Sequence, residues 1–215
     1  MHAGGKHVPK YKHGKIEKTI DLNLLRILME RVNHVDRSIY NAEFIQSLIA
    51  IFFWTGFRRS EILGDAGHKW KLKSGEIRRS KPFTGLLKEN VWVDEEFLYV
   101  YQIARKHGKR DAPAALPLSL PYVDLIVERW NRTAPRKKMF PISYVTFWRI
   151  LKRIDPKIYP HFFALNRVTK LAENPKLGLA HICSWTGKSP KTVAYYMARV
   201  GRHSREVGKT LLEEK

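Results

Sequence analysis

The chain has 215 residues, 44% of them apolar, enough for one compact domain with its own core. Forty Lys and Arg against 20 Asp and Glu leave a net charge of +20, too one-sided for surface ion-pair networks, so the expected partner is a polyanion. No apolar run approaches the roughly 18 residues of a membrane span, Met1-His2-Ala3-Gly4-Gly5-Lys6 lacks a signal-peptide core, and a lone Cys183 leaves no internal disulfide or cysteine-based zinc site.

Lys6, Lys10, Lys12, Lys15 and Lys18 stand among Gly and His with only Glu17 opposing them, so residues 1–18 are expected to be a basic, flexible tail before a domain over 19–215. Asp21 is placed to cap a helix through about Val32, with Leu22, Leu24, Leu25, Leu28 and Val32 on one face. Ala42 to Trp54 is apolar on most sides and predicts a buried helix, stopped by Thr55-Gly56. Ser60-Glu61-Ile62-Leu63 predicts a new short helix with Ser60 as its cap. Arg58 is left at the joint. There it suits two roles: receiving an anion beside free backbone N–H groups, or pairing Glu61 across one turn.

Residues 64–90 are basic and irregular, with Lys69 and Lys71 beside Trp70, which predicts a DNA-facing loop. Val91–Val93, Phe97–Tyr101 and Leu116–Leu118 predict a small antiparallel sheet. Helices are expected near Pro121–Trp130, Ser143–Ile154, His161–Glu173, Leu177–Trp185, Pro190–Val200 and Ser204–Leu212, the fifth started by Ser189 and Pro190. The expected fold is mainly α with one small antiparallel β-sheet. Nine histidines without metal-ligand spacing predict no metal.

Thr55-Gly56-Phe57-Arg58-Arg59-Ser60-Glu61-Ile62-Leu63 resembles the first-arginine box of the tyrosine recombinases, the phage- and virus-type integrases that cut and rejoin DNA through a phosphotyrosine. Three further boxes follow in family order. Arg105-Lys106-His107-Gly108-Lys109-Arg110 is similar to the lysine hairpin, His161 to Asn174 to the His-x-x-Arg helix, and Trp185-Thr186-Gly187-Lys188 to the box before the nucleophile. Two departures stand out: Ala164 occupies the position of the second arginine, and Lys188 stands where His or Trp is usual.

The resemblance implies a catalytic domain without the N-terminal DNA-clamping domain, working on double-stranded DNA with no cofactor. Arg58 and Lys188 would stabilise charge on the scissile phosphate, His161 would assist proton removal, and Lys106 would protonate the leaving oxygen, with Lys109 as the other hairpin candidate. The nucleophile is expected at Tyr196, at the edge of the apolar stripe Val193, Met197 and Val200, rather than at Tyr195 opposite. Arg59, Lys69, Lys71, Arg105, Lys109, Arg110, Arg167 and Lys170 are expected to hold DNA phosphates. The family pattern also implies a monomer alone that becomes a tetramer on paired sites, in the cytoplasm at the nucleoid, or in a host's cytoplasm for a virus-type enzyme. Two other functions fit the residues: a type IB topoisomerase, and, because of Ala164, a DNA-binding protein that does not cut.

Overall fold

The computed structural model describes residues 20–35, 39–67, 69–72, 74–79, 82–101, 103–104, 108–109 and 113–199. The basic segment 1–18, the expected helix 204–212 and the hairpin residues Arg105, Lys106 and Arg110 lie outside the described residues.

Helix α1 (Leu22–Val32) starts where expected, because the Asp21 carboxylate accepts from the Leu24 N–H at 2.7 Å. Helix α2 (Ala42–Thr55) buries eleven of its 14 residues, so it is the axis of the core and has no solvent face to speak of. Helix α3 (Arg59–Leu63) is one short turn beyond it. Around α2 pack α1, α4 (Val123–Arg132) and α6 (Pro160–Glu173), while α5 (Tyr144–Ile154) leans on α1 and α6. Phe52 lies at the crossing, stacked on Phe147 at 5.4 Å and Phe163 at 6.0 Å.

Strands β1 (Lys69–Lys71) and β2 (Ile77–Arg79) form a two-stranded antiparallel hairpin in the stretch expected to be an irregular loop. The turn is made by Gly75 at φ +86°, with Leu72 N–H donating to the Glu76 carbonyl at 2.8 Å. Strands β3 (Val91–Val93), β4 (Phe97–Val100) and β7 (Ala114–Pro117) make the expected antiparallel sheet in the order β3-β4-β7, and β5 (Ile103–Ala104) pairs with β6 (Gly108–Lys109). The sheet alternates as a half-buried strand set should: Val91, Leu98, Val100, Ala114 and Leu116 face the core.

Helices α7 (Leu179–Thr186) and α8 (Pro190–Arg199) pack on each other and on α6. Their apolar faces close a second, smaller core of Val168, Ala172, Ile182, Val193 and Met197. Helix α6 therefore belongs to both cores. No helix among the described residues is long and apolar enough to cross a membrane.

Candidate active site

The turn that carries Arg58 is built by its neighbours. Thr55 Oγ1 donates to the Ile51 carbonyl at 2.6 Å and accepts from the Phe57 N–H at 3.2 Å, which folds the chain back at the end of α2. Gly56 adopts φ +62°, and its N–H closes the helix on Phe52 at 3.0 Å. Phe57 is fully buried and anchors the turn. Arg58, not Ser60, is the N-cap of α3: its N–H donates to the Glu61 carboxylate at 2.6 Å, which leaves Ser60 inside the helix. The guanidinium lies 3.6 Å from the other Glu61 oxygen, so Arg58 does pair with a buried carboxylate. The pairing is incomplete, since the buried Nη1 makes no hydrogen bond among the described residues.

His161 is the second residue of α6, after Pro160 at N1. His161 keeps contact with solvent, yet its pKa is lowered from 6.5, first by partial desolvation of the imidazolium form and then by the positive charges of Lys188, Arg58 and Arg59. Cations from α3's start and from the α7–α8 joint thus act on one imidazole through their fields. Lys188 itself is only 8% exposed, between Gly187, which ends α7 at φ +58°, and Ser189, which starts α8 by accepting from Thr192 N–H at 3.3 Å. Glu61 is the carboxylate joined to this group, so the cluster carries excess positive charge and favours a neutral His161 and an arriving anion.

Ala164 lies one turn after His161 and is fully buried. Arg59 adds the smallest of the three positive fields felt at His161, its guanidinium lying over the Tyr144 ring. Arg167, expected as a phosphate contact, is engaged inside the protein. Its Nε donates to the Trp54 carbonyl at 3.0 Å, and its guanidinium lies 4.9 Å from the Trp54 ring centre and 5.2 Å from that of Phe53. Burial pushes its pKa down to about 10.

Tyr196 is half-buried at the edge of the small core, while Tyr195 is 42% exposed, and their rings meet edge to face at 5.5 Å. Lys170 is exposed and pairs with Glu173 at 3.1 Å. Lys71 is exposed on β1, Lys69 heads that strand, and Lys109 is in β6. Among the described residues no cluster of three His, Cys, Asp or Glu is placed to hold a metal.

Three solved structures share this architecture. The XerH site-specific recombinase bound to difH substrate, in a pre-cleavage complex, is 16% identical with a TM-score of 0.53, over 83% of this chain and 49% of that one. The same recombinase on a palindromic difH substrate, in a post-cleavage complex, is 14% identical with a TM-score of 0.59, over 90% and 53%. The XerA recombinase is 13% identical with a TM-score of 0.53, over 88% and 61%. The chain has the tyrosine-recombinase fold. It spans about half to three-fifths of the length of these recombinases. No protein-family model and no curated protein matches the sequence.

Proposed function

We propose that this chain is the catalytic domain of a DNA strand transferase of the tyrosine-recombinase kind, acting on duplex DNA. The observation that carries the proposal is the recombinase fold itself, on which Lys188, Arg58 and Arg59 all add positive field at His161. In-line attack on a phosphodiester builds negative charge on the non-bridging oxygens, and cations fixed in advance stabilise it without waiting for solvent to reorganise. Arg58, at the turn before α3, and Lys188, at the joint before α8, are the cations assigned to that oxygen in this proposal. His161, kept neutral by its surroundings, is suited to accept the proton of the attacking hydroxyl.

Tyr196 is the proposed nucleophile and Lys106 the proposed acid. Attack forms a bond between the tyrosyl oxygen and phosphorus and breaks the bond from phosphorus to the 5′ oxygen, which takes its proton from Lys106. The 3′-phosphotyrosine link conserves the energy for rejoining, so no nucleotide is consumed. Arg59, Lys69, Lys71, Arg105, Lys109, Arg110 and Lys170 would hold phosphates along the duplex. We take residues 19–215 as one catalytic unit, a monomer alone and a tetramer on paired sites, and the chain as weakly active because a methyl group stands at 164.

The test is to incubate the chain with a pool of nicked duplexes of random sequence and isolate protein that stays bound to DNA in detergent. Peptide mapping should place the nucleotide on Tyr196, and Tyr196→Phe should abolish the adduct while Tyr195→Phe keeps it. An adduct that survives Tyr196→Phe refutes the assignment. A second function, DNA binding without cutting, is favoured by one feature: Ala164 supplies no donor and Arg167 is occupied at Trp54. Tight binding of the pool with no adduct at any pH supports it.

A further inference from the structure

The two consecutive arginines at the start of α3 serve different places. Arg58 joins the cluster around His161, whereas Arg59 lays its guanidinium over the Tyr144 ring, 4.0 Å from its centre. On that side an open groove of about 740 Å³ runs between the end of α3 and the start of α5. Arg59, Lys138, Tyr144, Phe83 and Asp65 line it.

The wall of this groove is rigid. The backbones of Asp65 and Phe83 bond to each other in both directions at 2.7 Å, and Leu86 N–H donates to the Ile62 carbonyl at 3.0 Å. Gly64 and Gly85 make the approach possible: a Cβ on Gly64 would stand 2.6 Å from the Thr84 carbonyl oxygen, and one on Gly85 would stand 2.5 Å from the Gly64 nitrogen. Asp65, the carboxylate on the wall, is partly engaged, its Oδ1 accepting from the Gly67 N–H at 2.8 Å. Arg59 and Lys138 outnumber Asp65, so the groove keeps one net positive charge, and the flat stack on Tyr144 holds the Arg59 fork in one orientation instead of leaving it free in water.

We infer that this groove holds the sugar-phosphate backbone of duplex DNA beside the scissile phosphate, with Arg59 and Lys138 each on a phosphate and Tyr144 as the platform that aims Arg59. This rests on the DNA reading proposed above and gives that reading a register. Neighbouring Cα atoms are about 3.8 Å apart, so consecutive Arg58 and Arg59 are close enough to address nearby phosphates of one strand. Charge selects the occupant: a groove in which Arg59 and Lys138 outnumber Asp65, on a chain of net charge +20, with Arg58 next in sequence to Arg59, suits a polyanion better than an apolar segment.

The experiment measures binding of the full chain to a duplex of arbitrary sequence as a function of salt. Each phosphate contact removed should lower the slope of log K against log salt by about 0.9, so R59Q and K138Q should each lose about one contact, and their combination about two. Tyr144→Leu should weaken binding about 2–5-fold and Tyr144→Phe should not, because the ring and not the hydroxyl supports Arg59. Arg26→Gln, an exposed change on α1, should leave the slope alone. A wild-type slope in R59Q or K138Q, with the variant folded by its melting temperature, overturns the inference while leaving DNA binding in place. If the unaltered chain shows no salt-dependent affinity at all, the DNA reading falls and this inference falls with it.

Discussion

Arg167 on α6 donates from Nε to the carbonyl of Trp54 at 3.0 Å, one of the last carbonyls of α2 and two residues before Gly56. A half-buried cation is thereby set at the negative end of the core helix, at the turn that delivers Arg58. The contact is close enough to dictate sequence, since a Cβ on Gly56 would stand 2.6 Å from the Arg167 Cβ.

Loss of this clamp should be felt as stability. Arg167→Leu removes a hydrogen bond from a charged donor, a loss of about 1.5–3 kcal/mol, which for a chain of this size lowers the Tm by roughly 3–12 °C. Arg167→Lys should recover only part, because an ammonium lacks the planar fork that lies over the Phe53 and Trp54 rings. Gly56→Ala should be destabilising by at least about 2 kcal/mol, combining a left-handed φ with an overpacked contact. Thermal melts of the three variants check these orders, and an unchanged Tm in Arg167→Leu would mean that the clamp carries no energy.

The pH dependence of His161 has a definite sign. Its folded pKa lies below the ordinary 6.5, so as pH falls past 6.5 the unfolded chain takes up a proton that folded His161 refuses. Its contribution to stability is intact above that value and is lost as pH drops from 6.5 towards the folded pKa. Lys188→Gln removes the largest of the charges that lower it and should move the His161 titration upward, short of 6.5 because burial remains. Titration of the ring proton by NMR in the two proteins reads this directly. No upward movement would place Lys188 away from the imidazole.

Ala164→Arg should raise the rate of adduct formation by about 10²-fold while changing DNA affinity little, since a donor at the phosphate acts on the transition state and grip is spread over many other cations. The position is fully buried, so the longer side chain must find its way past packed neighbours, and a lower Tm is expected alongside the faster reaction. An adduct rate no higher than that of the unaltered chain would mean that residue 164 does not face the phosphate.

Much of this was legible in the sequence because the signals are local. Asp21, Ser143 and Ser189 each accept from a backbone N–H three residues on, so the starts of α1, α5 and α8 could be read from a cap followed by a 3.6-residue stripe. The hairpin β1–β2 was not legible. In the strand register Lys69 pairs with Arg79 and Trp70 with Arg78, so no apolar–polar alternation in the sequence marks it; the Ser74-Gly75 dipeptide was the available turn signal. Arg58 as cap was hidden by the habit of looking to Ser60, when the buried Glu61 reaching back to the Arg58 N–H decides the start of α3. Arg167 was misplaced for another reason. Its partner is 113 residues away, and spacing along one helix cannot show which guanidinium a neighbouring helix end will claim.

The division of the interior into two cores gives the fold an uneven resistance to opening. Among the described residues the small core has five buried side chains, against the long run of buried residues around α2, and area buried sets the free energy of local unfolding. Backbone amides of α7 and α8 should therefore exchange with solvent deuterium sooner than those of α2. Lys188 and Tyr196 both ride on this looser part, whereas Arg58 is fixed to the rigid one. On the proposed function, the half of the site that would make a bond to DNA is the half that can yield at least cost, which would let one chain hold a strand firmly and still release its grip on the attacking group.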